Sequence, residues 1–326
     1  VPPCSETRAA PGDRPALAAA APAAPGAPSP RWSRRRREAL AGYAFVAPDL
    51  LGLLVFVGLP MVLAIGVSLF SVDGFGGYTF AGLDNFRQMA GDTQLWQSVK
   101  VTLTYVVTFV PIGFVVSLGL ALLVRDHFPG VGLVRTLFFL PHVISLVVVG
   151  VIWQFLLADK QGAVPALLRP AGLGDVSFLG NPALALGSLV VISIWFLMGY
   201  QMLILLGGLK DIPKEYEEAA RVDGASSWQR FRHVIWPLLR PTSFFVLVNS
   251  TVGAVTGLQA FDLVYVLTKG GPANSTSTVV FYIYQQAFTF NNYGYAAALT
   301  TVVVAFLVVA TGLMFGLTRG GRFDAD

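Results

Sequence analysis

Six runs of about twenty or more apolar residues, separated by short segments that hold most of the charge, constrain this 326-residue chain more than any other feature. An α-helix rises 1.5 Å per residue, so about 20 residues cover a hydrocarbon core of about 30 Å. The runs cover about residues 43–70, 99–124, 134–157, 184–206, 243–267 and 295–317. Only 12% of the residues are charged and 55% are hydrophobic, whereas soluble domains carry roughly 25% charge. The expected fold is therefore all-α: a polytopic membrane protein with six transmembrane helices. Pro48, Pro60, Pro111 and Pro141 fall inside the runs. In a bilayer bundle the carbonyls they free are satisfied by neighbouring helices and hydroxyls, so they are expected as kinks.

Six spans put both termini on one side. With the termini inside, 17 of the 22 Lys and Arg residues fall in inner segments and five in outer ones, which sets the orientation of a multi-pass protein of the cytoplasmic membrane. The outer connections, about residues 71–98, 158–183 and 268–294, are rich in Gly, Asn and Pro and suit a surface that meets a soluble partner or solute. Residues 1–30 are Ala/Pro-rich and too poor in large apolar side chains to offset chain entropy, so a disordered tail is expected there, followed by Arg31 and Arg34 to Arg37. The net charge of +4 is spread over the ends of the runs and forms no single patch for nucleic acid. The one cysteine, Cys4, belongs to no Cys/His cluster with metal-ligand spacing, so no metal site is expected.

Catalytic chemistry has little to stand on. No Gly-x-x-x-x-Gly-Lys-Ser/Thr loop is present to cradle a nucleotide. The three histidines, His127, His142 and His233, form no triad pattern, and no catalytic residue is assigned. A carboxylate relay through the membrane would mark an ion-coupled secondary transporter. Only Asp49 and Asp262 approach that description, and both lie near the ends of their runs. A secondary transporter acting without an ATPase, or a membrane scaffold that transports nothing, remain as alternatives.

The inner connection between runs four and five is the most informative segment. Pro213 suits a helix start, Lys214 to Val222 are mostly good helix formers, and Asp223-Gly224 breaks the helix. Ile212, Tyr216, Ala219/Ala220 and Asp223 recur at helical spacing, giving a small-residue face flanked by Glu215, Glu217 and Glu218. Ser226 or Ser227 can cap a second helix through Phe231 and Val234, until Pro237 and Pro241 redirect the chain into the fifth span. A helix resting on lipid would carry cations opposite bulky apolar residues. This one carries four carboxylates, two cations and central alanines, which suits a groove on a protein.

The same segment resembles a known family. Glu218-Ala219-Ala220, then Gly224, then Val234-Ile235-Trp236-Pro237 is similar to the EAA loop of binding-protein-dependent ABC transporter permeases, with Val234 and Trp236 in place of Ile and Leu. Phe261-Asp262-x2-Tyr265-x-Leu267-Thr268-x-Gly270-Gly271-Pro272-x3-Thr276, the later Tyr284-x2-Ala287-Phe288, and Phe80-x-Gly82-Leu83-Asp84-Asn85-Phe86 resemble the carbohydrate-importing branch, of the maltose or glycerol-3-phosphate first-permease type. The resemblance covers about residues 40–320. It implies three regions: a cytoplasmic tail 1–38, a permease domain 39–320 containing the coupling loop 211–241, and a short cytoplasmic end 321–326. It implies docking on a cytoplasmic ATPase through Glu218, Ala219, Ala220, Asp223 and Gly224, with Pro237 closing the motif. The implied partners are a second homologous permease, a dimer of ABC ATPases that bind the ATP and Mg, an extracytoplasmic solute-binding protein, a sugar or polyol, and the lipid bilayer. No cofactor is expected on this chain.

A sugar path needs aromatic faces and amide or carboxylate groups. Run five offers Asn249, Gln259, Phe261, Asp262 and Tyr265, and run four offers Tyr200 and Gln201. Polar residues on membrane helices also bond neighbouring helices.

Overall fold

The computed structural model describes residues 31–72, 76–172, 174–257 and 260–317. Gln259, most of the expected tail and the expected C-terminal segment lie outside the described residues. The chain divides into two units, residues 1–59 and 60–326. In the first, helix α1 (Arg31–Leu53) passes into a wide turn of π geometry at Leu54–Gly58. Its large apolar side chains are exposed on every side, Phe45 by 91%, which suits hydrocarbon surroundings.

The second unit opens within α2 (Leu59–Val67), followed by a hairpin of β1 (Phe70–Val72) and β2 (Tyr78–Phe80), paired antiparallel with Phe70 opposite Phe80. Helix α3 (Asp84–Gly91) leads to α4 (Thr93–Leu123), whose start is set by Asp92 accepting the Gln94 and Leu95 amides. Helices α5 (Val131–Val143), α6 (Leu146–Leu156) and α7 (Ala163–Leu168) follow. Asn181 caps α8 (Pro182–Lys210), with Pro182 in the first turn where its missing N–H costs nothing. Next come α9 (Lys214–Val222), α10 (Ser227–Arg230), α11 (Trp236–Thr256), α12 (Ala260–Leu263), α13 (Val279–Tyr284) and α14 (Tyr293–Leu317).

Five stretches among the described residues are long and apolar enough to cross a membrane: Glu38–Val67, Thr93–Leu123, Pro182–Lys210, Ser227–Thr256 and Tyr293–Gly316. The third expected span, 134–157, is broken. Helices α5 and α6 meet at 96°, and each alone is about 20 Å or less by its rise per residue. Pro141 withholds an N–H from the ladder, and Ile144 then turns extended at ψ 145° while its amide closes a tight turn on the Pro141 carbonyl at 3.3 Å.

The fifth span also differs from its expected bounds. Pro237 and Pro241 do not redirect the chain: the helix runs from Ser227 through to Thr256. The wide turn at Phe231–Ile235 shifts the bonding, with the Trp236 amide reaching the Phe231 carbonyl, so that Pro237 enters at a widened point of the ladder. At the other end the helix stops at Gly257 in the left-handed region, φ +69°. Phe261, Asp262 and Tyr265 therefore sit beyond the span, on α12 and the wide turn Val264–Thr268.

The core lies along α4 and α8. One cluster joins Tyr105 and Phe109 of α4 to Leu189, Ile192 and Phe196 of α8 and to Leu263 of α12. A second joins Ala121 and Val124 to Met202, Leu205, Leu209, Ile212 and Leu239. Gly199 of α8 allows α5 to approach: a Cβ there would sit 1.9 Å from the Phe138 carbonyl oxygen.

Candidate functional site

The loop between the fourth and fifth spans is built from its caps. Helix α9 places Glu215 and Glu217 in its first turn and Arg221 in its last, each at the end of the helix dipole that favours its charge. It ends in a Schellman arrangement: the Gly224 amide donates to the Arg221 carbonyl at 3.1 Å and the Ala225 amide to Ala220 at 2.9 Å. This turn needs φ +81° at residue 224, a value glycine adopts without penalty. The chain restarts at once with a capping box in which Ser226 and Gln229 exchange backbone and side-chain bonds at 2.8 and 3.3 Å.

The result is an exposed helix, a tight turn and a second helix that continues into the span. Glu218, Ala219, Asp223 and Gly224 are exposed and Ala220 is half-buried. Large apolar side chains are exposed on the same loop: Val222 by 88%, Trp228 by 65% and Tyr216 by 57%. Apolar groups of this size at an aqueous surface mark a contact face. Ile212, expected on that face, precedes α9 and is buried in the second core cluster. Pro237 is half-buried within the helix that leads into the span.

Glu217 faces the other way and pairs with Arg125, just beyond the end of α4, which also donates to the Leu209 carbonyl at 3.4 Å. These residues line a cleft of about 690 Å³ together with Glu218, Lys210 and Arg221. Sequence reading counted Arg125 only toward orientation, because nothing in its spacing connects it to a residue 92 positions later.

The residues expected on a sugar path divide into separate environments. Gln201 is buried and its amide is occupied at both ends: Oε1 accepts from Ser117 of α4 at 3.0 Å and Nε2 donates to Ser250 of α11 at 3.0 Å. It ties three helices together. Tyr200 stacks on His142 with ring centroids 4.7 Å apart. Asn249 is exposed on α11. Phe261 and Tyr265 form an aromatic group with two residues not assigned from sequence: Tyr284 lies 5.3 Å from Phe261 and 5.6 Å from Tyr265, and Phe288 lies 5.1 Å from Tyr284. Asp262 is half-buried beside them in sequence.

A polar network at the ends of the spans was also missed. Oδ2 of Asp92 accepts from the hydroxyls of Tyr282 and Tyr295, both at 2.6 Å. Gln286 donates to the Tyr282 oxygen at 2.7 Å, and Asn292 donates to Gln286 at 3.1 Å. Burial works against the charged form of Asp92, but bonds from Tyr282, Tyr295 and the Leu95 and Gln94 amides outweigh it and hold the carboxyl below its ordinary value. Burial and the Asp92 charge push the Tyr282 hydroxyl up. Two quoted motifs also acquire local roles. Nδ2 of Asn85 donates to the Ser68 and Phe70 carbonyls at 2.8 and 3.0 Å, clasping the chain after α2. Thr268 and Thr276, with hydroxyls 2.7 Å apart, close the loop containing Gly270-Gly271-Pro272.

Apolar spans joined by a capped, exposed helix define a multi-pass helical membrane protein. Residues 113–320 match the family described as the binding-protein-dependent transport system inner membrane component, and the chain belongs to that family. It is 38% identical over 285 residues to the probable ABC transporter permease protein YesP of Bacillus subtilis (strain 168), covering 86% of this chain and 91% of the relative. It is 34% identical over 279 residues to the sn-glycerol-3-phosphate transport system permease protein UgpA of Agrobacterium fabrum (strain C58 / ATCC 33970), covering 84% and 92%. Its fold matches a crystal structure of a bacterial alginate ABC transporter in complex with an alginate pentasaccharide-bound periplasmic protein, with a TM-score of 0.77 at 24% identity, over 89% of this chain and 98% of that one. Membership of a binding-protein-dependent family sets aside both the stand-alone secondary transporter and the scaffold.

Proposed function

We propose that this chain is one permease of an ATP-driven importer for a sugar or related polyol, pairing with a second homologous permease. Both termini lie in the cytoplasm, where a dimer of ABC ATPases binds ATP and Mg and performs the hydrolysis; this chain performs none. An extracytoplasmic solute-binding protein delivers the solute to the outer loops. The observation that carries the reading is the exposed face around Glu218, Val222 and Gly224, a preformed helix and turn with apolar groups in water. Rigid capping matters because a docked helix follows its partner only if the turn behind it does not yield. ATP-driven closure of the ATPases then moves the docked helices and biases the bundle between outward and inward openings.

The substrate class rests on the relatives, which include permeases named for sn-glycerol-3-phosphate and for trehalose/maltose. The Phe261, Tyr265 and Tyr284 rings supply apolar faces of the kind that stack on sugar C–H surfaces, and Asp262 and Asn249 supply hydrogen-bonding groups. The test is reconstitution of the assembled transporter with Glu218→Ala. Loss of ATPase co-purification and of solute uptake is expected. Retention of both at wild-type level overturns the docking reading.

A further inference from the structure

We infer that the Arg125–Glu217 ion pair is the link that carries movement of the docked helix α9 into the transmembrane helix α4, which makes Arg125 a positioning residue for energy coupling. The inference rests on the docking reading above and concerns what lies behind the docked face. Successive helical residues differ by about 100° in direction, so the neighbouring carboxylates of α9 divide the work: Glu218 is exposed, and Glu217 is turned inward to Arg125.

Helix α9 is short and bounded by non-helical backbone on both sides, at Asp211–Pro213 and at Asp223–Ser226. The covalent route from α9 leads to α8 on one side and to α10 and α11 on the other, and neither reaches α4 directly. The ion pair does. Arg125 follows the last turn of α4, and the pair is well covered, with side chains 18% and 21% exposed. The same guanidinium holds the Leu209 carbonyl in the last turn of α8, so one planar fork joins α4, α8 and α9. Arg135 of α5 donates to the Val124 carbonyl. The end of α4 is thus tied to both the docked helix and α5. Helix α4 contributes to both main core clusters, as do α8 and α11, so a displacement of its end is passed along the packed bundle.

The experiment is a double-mutant cycle in the complete transporter, reconstituted with its ATPases and binding protein, with assembly checked by co-purification. Solute uptake and ATP hydrolysis are measured together. Arg125→Gln and Glu217→Gln are each expected to leave the ATPases bound and to lower uptake per ATP between about twofold and thirtyfold, the range of energetic coupling that single residues modulate. The double variant is expected to lose no more than the worse single variant, since both changes cut one link. A wild-type ratio in the single variants, or losses that multiply in the double, overturns the inference. If a single variant strands a charge and fails to accumulate, the double variant carries none, and a wild-type ratio there overturns the inference. Glu218→Ala keeps the two readings apart: ATPases that stay bound with uptake intact refute docking itself, whereas wild-type behaviour confined to the Arg125 and Glu217 variants refutes only the link.

Discussion

Replacing Gly224 isolates the mechanical role of one backbone angle. The residue sits at φ +81° with open space where a Cβ would be, so a side chain there meets no neighbour. The whole penalty is conformational. An alanine in the left-handed region costs about 1–2 kcal/mol, and the less flexible unfolded chain returns about 0.4–1 kcal/mol only where the native angles are compatible, which they are not here. The turn therefore loses about 1–2 kcal/mol, a factor of about 5 to 30 in the population of the docking-competent loop. Asparagine tolerates the left-handed region better than other side chains, and valine tolerates it worst. The expected order of ATPase affinity is Gly, Asn, Ala, Val, measured by titrating purified ATPase against the permease complex in nanodiscs. Thermal stability of the spans should change little, because the loop is capped locally and exposed. Equal affinities across the series, or an asparagine variant as weak as valine, would refute the argument from backbone angle.

Two further outcomes follow from packing and charge. Gly199→Ala pushes a methyl group into the Phe138 carbonyl, 1.9 Å from the Cβ position. Separating α5 from α8 should cost about 1–3 kcal/mol, read as a lower melting temperature in detergent, while Gly187→Ala on the same helix, with nothing within 4 Å, should be neutral. The Asp92 carboxyl is held below its ordinary value of 3.8 when folded. The folded state thus binds its proton less readily, and the stabilisation is complete above pH 3.8 and fades as pH falls through the lower folded-state value. The melting temperature gap between wild type and Asp92→Asn should be present at pH 7 and should shrink in acid; a gap independent of pH counts against a charged Asp92.

Much of the architecture was legible because it is written in local patterns. The bounds of the second, fourth and sixth spans, the helix at Lys214–Val222, the stop at Asp223-Gly224 and the Ser226 cap all depend on residues within a few positions of one another. Prolines were harder. Pro141 was read as a kink, yet it precedes a 96° break, whereas Pro237 and Pro241, read as redirecting the chain, lie within a continuous helix. At Pro237 the wide turn Phe231–Ile235 absorbs the missing donor.

Local patterns in the sequence were enough to show that the chain crosses a membrane several times and that a capped polar helix joins two of its spans. These follow from hydropathy, charge and turn chemistry, which act over one helix length. Which polar side chains are committed emerged from the packing of the helices. Gln201 proved to bind Ser117 and Ser250 across three helices, Glu217 proved to look inward to Arg125, and Asp92 proved to hold Tyr282 and Tyr295, 190 and 203 residues away. A polar group in an apolar bundle takes whichever partner packing brings within about 3 Å, and that choice is set by how the helices meet.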